Sequence, residues 1–405
     1  MVYMRKIVWI GSYVSEKSIS KVQELGYKNP ASVTSQANIL EGLETVTNSS
    51  IDTLGVLSFK GFPSDKKIFM PKIKSTHGKG AEDILTSVVN IKYFNKWYSK
   101  LSLKKDVKKY FEKLNTKEPV DVFIYEMRSV CLEMAKTIKK INPKIKIHLI
   151  IPDLPQFMDL RAGQLKKWLK RIDWENMRHN MEYIDDYILY TESMAEYLHI
   201  TDKKWMVMEG SINSREIERP LKTSSSSKNK FIVMYSGGIK KNFKIENLLK
   251  AFELLDDRFE LWITGSGDFE KNVIEYADKN NKIKFYGFLS SRDELRELQE
   301  KATMLINMRD PKEEASKFCF PSKLFEYMLT GKPVLSLKLM GIPQEYFQYL
   351  INVDSTGAKD IAKAIERVAN ENDKCRVEFG MKAREFIVEK KNNISQAEKI
   401  YQFIK

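Results

Sequence analysis

No two cysteines in this chain are spaced to clamp a metal or to staple a fold. Cys131, Cys319 and Cys375 are scattered without a CxxC step, which argues against a disulfide scaffold and a thiolate metal site and fits a reducing compartment. Histidine is equally thin. His77, His148, His179 and His199 form no HExxH or HxH group, so a zinc or haem enzyme is not expected. Nowhere does the sequence approach the roughly 18 consecutive apolar residues of a spanning helix. Met1 to Arg5 leads straight into the strand-like KIVWIGSY, too short for a secretory apolar region and without a small-residue cleavage site. A cytoplasmic protein is expected, soluble or peripheral at the inner face of the plasma membrane. No repeat at solenoid spacing and no RNA- or DNA-binding motif is recognisable.

What is present is positive charge. The formal net charge is +14, divided as +9 over residues 1–210 and +5 over residues 211–405. Such an excess attracts nucleotides, nucleic acid or anionic lipid. A lysine-rich solvated surface explains it equally well.

Short β-branched runs alternate with helical patterns in two clusters. KIVWIGSY, DVFIYE, IKIHLII and DDYILYT read as buried strands, with helices over 128–142 and 163–183 between them. KTSSSSKN, residues 222–229, cannot build a core and reads as a flexible connection. After it, FIVMYSG, FELWITG, IKFYGFL, TMLINM and PVLSL restart the alternation. The fold class is therefore α/β, with two doubly wound, Rossmann-like domains. Residues 1–210 form the first, 211–230 the linker and 231–375 the second, and 376–405 form helices packing over the junction. Open parallel sheets bind ligands at the carboxyl ends of their strands.

Three features of the second domain point to a diphosphate. In YSGGIKK a strand ends in Gly237 and Gly238, where the backbone can approach an anion, and Lys240 and Lys241 supply countercharge; an ordinary turn is the plain alternative. LWITGSGD runs a second strand into Gly265 and Gly267, but a lone GxG is poor evidence for a dinucleotide, and a tight strand-to-helix turn fits equally. FCFPSKLFEYMLTGKPVLSL, residues 318–337, is the sharpest signal. Pro321 suits a first helical turn, Gly331 and Pro333 end the helix, and Lys323 and Glu326 share one face. There Lys323 can receive a phosphate and Glu326 can accept two ribose hydroxyls, or the two simply form a surface ion pair.

The run FPSKLFEYMLTGKPVL resembles the donor-site signature of bacterial glycosyltransferase family four, the retaining GT-B enzymes that build exopolysaccharide and capsule. The likeness covers roughly 231–337, and more loosely IIPDLP and NPASVTSQANILEGL in the first domain. It implies a GT-B fold with two Rossmann-like domains facing a central cleft. It also implies a nucleotide-sugar donor, UDP-sugar before others, and a saccharide or lipid-diphosphate-linked acceptor. Glu326 would hold the donor ribose, Ser322 and Arg309 would face the donor, and the lysines after Gly238 would hold the diphosphate. Many relatives carry a second glutamate eight positions before this one, where Phe318 stands here. Front-face attack, with the leaving phosphate taking the acceptor proton, needs no glycosidase-type carboxylate pair. Lys241 and Lys323 would then stabilise the leaving group. No bound metal or other cofactor is expected, and Asp185-Asp186 reads as a helix-to-strand cap.

The acceptor falls to the first domain. Gly11 and Ser12 end its first strand, Asp153 follows the strand IKIHLII and can position a hydroxyl, and Gln36 and Asn38 open a helix. An ordinary turn explains Asp153 equally well. Two basic stretches interleaved with aromatics, 96–114 and 164–177, can place Trp97, Tyr98, Trp168 or Trp174 at an anionic membrane surface; core-facing helices with a solvated lysine face are the alternative. No nucleic-acid partner is expected. The rivals are a UDP-sugar 2-epimerase on the same fold and a basic nucleic-acid- or membrane-binding module.

Overall fold

The computed structural model describes residues 5–27, 31–59, 61–63, 67–92, 94–157, 164–221 and 230–405. The 222–229 connection lies outside them. The chain forms two compact units, Met1–Ser211 with Asn393–Lys405, and Ile212–Asn392.

The first unit carries β1 (Lys6–Gly11), β2 (Asp52–Gly55), β3 (Phe69–Met70), β4 (Ile73–His77), β5 (Ala81–Leu85), β6 (Val88–Val89), β7 (Val120–Tyr125), β8 (Lys146–Ile151), β9 (Asp186–Leu189) and β10 (Lys204–Val207). Its helices are α1 (Glu16–Glu24), α2 (Ala31–Thr47), α3 (Phe94–Lys113), α4 (Ser129–Ile141), α5 (Gln164–Asn180) and α6 (Ser193–Tyr197). Eight strands join in the order β10-β9-β8-β7-β1-β2-β5-β4. All pairs are parallel except β4 with β5, and β3 and β6 form a separate antiparallel pair. The apolar run Ile7–Ile10 is fully buried because a parallel sheet is covered on both faces. Trp9 lies between Phe123 and Tyr125, with ring centroids 5.9 Å from each.

β2, β4, β5 and β10 were not legible as strands. β2 and β5 carry Asp52, Glu82 and Asp83 within four- and five-residue segments, which hydropathy reads as loop. The structure satisfies the two aspartates internally, while Glu82 is half-exposed beside Lys74. Asp52 pairs with Lys6 at 2.7 Å, and Asp83 accepts from Thr53 at 2.8 Å and meets His77 at 2.7 Å.

The second unit contains β11 (Phe231–Gly238), β12 (Phe259–Ser266), β13 (Ile283–Phe285), β14 (Met304–Asn307), β15 (Val334–Leu337) and β16 (Ile351–Val353). They form one parallel sheet in the order β13-β12-β11-β14-β15-β16. Around it lie α7 (Ser214–Ile217), α8 (Ile245–Leu254), α9 (Glu270–Lys279), α10 (Arg292–Lys301), α11 (Lys323–Leu329), α12 (Ala358–Ala369) and α13 (Asp373–Lys390). The strand order reverses between β11 and β14, which makes their carboxyl ends the expected ligand crevice of this unit. In the first unit the reversal falls between β1 and β7.

The C-terminal stretch divides between the units. α13 stays with the second, where Gly380 presses on α11's end: an added Cβ would lie 2.1 Å from Gly331 O. α14 (Asn393–Ile404) belongs to the first unit and packs on α2, where a Cβ on Gly42 would lie 2.2 Å from Asn393 O. Ile212 N donates to Lys391 O at 3.0 Å, so the second unit begins and ends on neighbouring backbone.

Candidate active site

At the crevice of the second unit, β11 ends in Gly237-Gly238 and β14 runs out through Met308 to Arg309. The turn that follows β11 is pinned from below. Tyr327, on α11 and 1% exposed, accepts from Ser236 N at 2.8 Å and donates to Ser236 O at 2.7 Å. Gln299 adds a bond to Ser236 Oγ at 3.1 Å, and Tyr235 Oη donates to Gly238 O at 2.7 Å. Burial is what raises the Tyr327 phenol well above its ordinary range, so it stays a neutral donor. Strand end and helix are thus one hydrogen-bonded piece.

Gly265 and Gly267 have a packing reason. At Gly265, with φ +140°, a Cβ would stand 1.8 Å from Gly237 O; at Gly267 it would stand 2.1 Å from Ile239 O. These two glycines let the β12 end lie against the β11 turn. At Gly238 a Cβ would make only ordinary contacts, 3.5 Å from Phe243.

Cations gather over that turn. Phe243 carries Lys240 Nζ at 5.4 Å and the Arg309 guanidinium at 5.1 Å from its ring centroid. Arg309 Nη1 is buried with no hydrogen-bond partner, a costly state for a guanidinium unless an anion completes it. Lys241 N donates to Asp268 at 3.0 Å, and its side chain is exposed. Lys244 pairs with Asp310 at 3.3 Å. Asn242 donates to Glu313 at 2.5 Å, which brings a carboxylate from the segment after β14 onto the same turn.

Ser322 is exposed, without a capping bond from its side chain, and Pro321 stands before α11 rather than in it, its carbonyl accepting from Leu324 N at 2.8 Å. Lys323 and Glu326 pair with each other at 2.7 Å, with side chains 37% and 50% exposed. Phe318 is buried, and so is Phe320, which packs on Phe325 and Tyr346 at 5.0 and 5.3 Å.

In the first unit, Gly11, Ser12 and Gln36 form one buried cluster. The Gln36 carboxamide oxygen accepts from Ser12 N (2.9 Å) and Trp9 Nε1 (3.2 Å), and its nitrogen donates to Ser12 Oγ (2.7 Å) and Ser32 O (3.3 Å). Its capacity is filled by the protein, so Gln36 shapes the turn. A Cβ on Gly11 would stand 2.2 Å from it. Asn38 is buried and donates to Ser211 O at 3.2 Å. Asp153 is exposed after β8.

The β7 end holds groups that sequence reading did not single out. Glu126 sits at φ +47°, a strained backbone for a glutamate. Arg128 pairs with it at 2.8 Å and donates to Ser58 Oγ at 2.8 Å, while its Nη2 is buried without a partner. Both polar atoms of the Gln156 carboxamide, after β8, are buried and unbonded as well. No sequence signal marks these groups, because their meaning comes from the neighbouring strand ends. Among the described residues, no group of three or more His, Cys, Asp and Glu is placed to hold a metal ion.

The family described as glycosyl transferases group 1 matches residues 217–403. A search of curated protein sequences finds no match. Solved structures align over nearly the whole chain. HepE from Anabaena, in complex with UDP, is 12% identical over 98% of this chain and 99% of its own, with a TM-score of 0.61. The lipopolysaccharide outer core galactosyltransferase WaaB is 14% identical over 98% and 99%, at 0.61. Sucrose-phosphate synthase from Thermosynechococcus elongatus is 16% identical over 99% and 98%, at 0.64. Two Rossmann-like units of this topology, with the group 1 match laid over the second, make the chain a glycosyltransferase built on the GT-B fold.

Proposed function

We propose that the chain transfers a sugar with retention from a UDP-sugar to a saccharide or lipid-diphosphate-linked saccharide, in the synthesis of cell-surface polysaccharide or glycoconjugate. The observation that carries this reading is the unmet cation at the β11–β14 crevice: the buried Arg309 nitrogen, with Lys240 beside it on the Phe243 ring. HepE, solved with UDP and with UDP and glucose, supports the choice of base.

As the bond from sugar C1 to the diphosphate breaks, negative charge grows on the leaving oxygen. Lys240, Lys241 and Arg309 meet it without reorganising. The acceptor hydroxyl attacks C1 from the same face, a new C1–O bond forms, and its proton passes to the leaving diphosphate. In this reading the reaction needs no resident metal. Donor binding opens the Lys323–Glu326 pair, so that Glu326 turns to the ribose hydroxyls and Lys323 to the phosphate, with Ser322 alongside. Glu313, held beside Asn242 on the same turn, is the carboxylate proposed to serve in place of the glutamate for which Phe318 stands. Gly11, Ser12 and Asp153 line the acceptor side, with Arg128 and Gln156 as its unfilled donors; Gln36 and Asn38 hold that side in shape.

Titration with UDP, followed by thermal shift, tests the donor assignment. Saturating nucleotide at a hundredfold excess over Kd stabilises the native chain by about 2.7 kcal/mol. Arg309→Ala is expected to weaken UDP binding by about tenfold to a hundredfold, the worth of a charge-assisted hydrogen bond, and Glu326→Ala to abolish the shift. Unchanged affinity in Arg309→Ala overturns the cradle. Interconversion of free nucleotide sugars without an acceptor overturns transfer in favour of the epimerase.

A further inference from the structure

We infer that the first unit docks on an anionic lipid bilayer through an aromatic patch at the carboxyl edge of its sheet. Phe62, Ile68, Phe69, Ile91, Phe94 and Trp97 are each 42–55% exposed, far more large apolar side chain than an isolated surface residue represents. Local bonds knit them together. Phe62 N donates to Asn90 O at 2.9 Å, Asn90 N to Ile68 O at 2.6 Å, and Phe94 N to Ile91 O at 3.1 Å. Phe69 pairs across β3–β6 with Val89. The Phe94 and Trp97 rings lie 5.1 Å apart. α5 is tied to the same place by Lys96 Nζ to Asp173 at 2.8 Å, and it adds Trp168 and Ile172, 59% and 42% exposed and one turn apart.

The distribution along α3 selects lipid over another apolar partner. Phe94, Trp97 and Leu101 follow one exposed stripe over the first two turns, and Lys105 and Lys108 continue it. The helix as a whole carries seven lysines against two acids. An apolar tip followed by lysines on one stripe matches acyl chains next to anionic headgroups, with aromatics at the boundary. Tyr98 and Trp174, by contrast, are half-buried, the first within 3.3 Å of Ser87 Oγ and the second against Tyr197.

Topology gives the patch its purpose. β1, β2, β5, β7 and β8 are parallel, so the segments that follow them leave the sheet at one edge. The patch grows from the segments after β2 and β5 and from the start of α3. Gly11, Ser12 and Asp153 follow β1 and β8 at that edge. A bilayer held there would present an amphipathic acceptor to the side of the sheet that the proposed function assigns to it. Docking itself does not rest on that reading, since an inactive chain would still bind.

Flotation with phosphatidylglycerol-containing vesicles at low salt tests this, with neutral phosphatidylcholine vesicles as the comparison. The chain is expected to float with the anionic vesicles and to release as salt rises. The Phe94→Ser/Trp97→Ser variant should lose at least about tenfold in vesicle affinity while keeping its UDP thermal shift, which separates docking from the donor site. Should that variant not fold, quenching of tryptophan emission by brominated lipid in the unaltered chain reads the same insertion through Trp97 and Trp168. Absence of flotation, equal flotation of the variant, or an unquenched emission overturns the proposal. So does a dimer in solution that the two substitutions dissolve, which would assign the patch to a second copy, or retention on RNA without vesicle binding.

Discussion

Tyr327 does more for the candidate site than its place in the run KLFEYML suggests. Sequence reading on this helix settles on Lys323 and Glu326, the two residues with obvious chemistry, and passes over the tyrosine between helix and strand. Its hydroxyl serves both the N–H and the carbonyl of Ser236, immediately before the glycine pair. Tyr327→Phe keeps the ring and removes the hydroxyl, leaving a buried backbone N–H without that partner. The expected loss is about 1–3 kcal/mol in denaturant unfolding of the second unit, together with weaker UDP binding, as the Gly237–Gly238 turn loses its anchor. Unchanged UDP affinity would mean that the turn is held by Tyr235 and Gln299 alone.

Between elements, close approach of backbone decides which glycines matter. Gly265 and Gly287 look alike in sequence, each following an apolar strand-like run. Gly287, at φ +66°, has nothing within 4 Å of an added Cβ, whereas at Gly265 the β11 carbonyl of Gly237 fills that space. Gly287→Ala should therefore cost only the left-handed penalty of about 1–2 kcal/mol. Gly265→Ala should cost about 3 kcal/mol or more and displace the β11 turn. Paired melting curves of the two variants check this, and equal losses would contradict the contact. Both readings of the glycine turn, ligand approach and plain packing, were open on the sequence; for Gly265 and Gly267 the packing reason is now visible.

Across the molecule, buried charge clusters in the first unit set a pH window. His77 lies between Asp83 at 2.7 Å and Glu44 at 3.3 Å, under the Tyr13 ring. Burial alone would lower its pKa, but hydrogen bonds to the two carboxylates outweigh it and raise the value to about 9 from 6.5. A raised folded pKa contributes stability that is complete below about pH 6.5 and lost as pH climbs through about 9. His148, fully buried between Asp121 and Asp186, shifts in the same direction, again against the pull of burial. On the acid side, burial pushes the Asp121 carboxyl up, but Arg5 and His148 hold it below the usual 3.8, and Lys6 and Tyr110 do the same for Asp52. Depressed carboxyls contribute stability present above their unfolded pKa and lost as pH falls through the folded one. The first unit is thus expected to be most stable between about pH 4 and 6.5, softening toward pH 9. Calorimetry of the chain and of His77→Asn across pH 6 to 10 checks the upper limb; an identical pH slope in the variant would remove His77 as its cause.

Continuous apolar runs declared the central strands, since a strand covered on both faces must be apolar at every position. The sequence alone thereby determined the α/β class and two rounds of alternation. It did not determine β2 and β5, whose buried acids read as loop until their partners arrive from strands far along the chain. Nor did it separate the last helix from α13 within the 376–405 stretch; the fit of Gly42 against Asn393 goes with its place in the first unit. The Phe243 ring that gathers Arg309 with Lys240, the Tyr327 anchor, and the joining of segments 62–69 and 91–97 into one patch came only with the tertiary structure. Each joins residues tens of positions apart through a distance, a buried hydrogen bond or a shared sheet edge. Local pattern carries no record of those, because burial and pairing are properties of the packed chain.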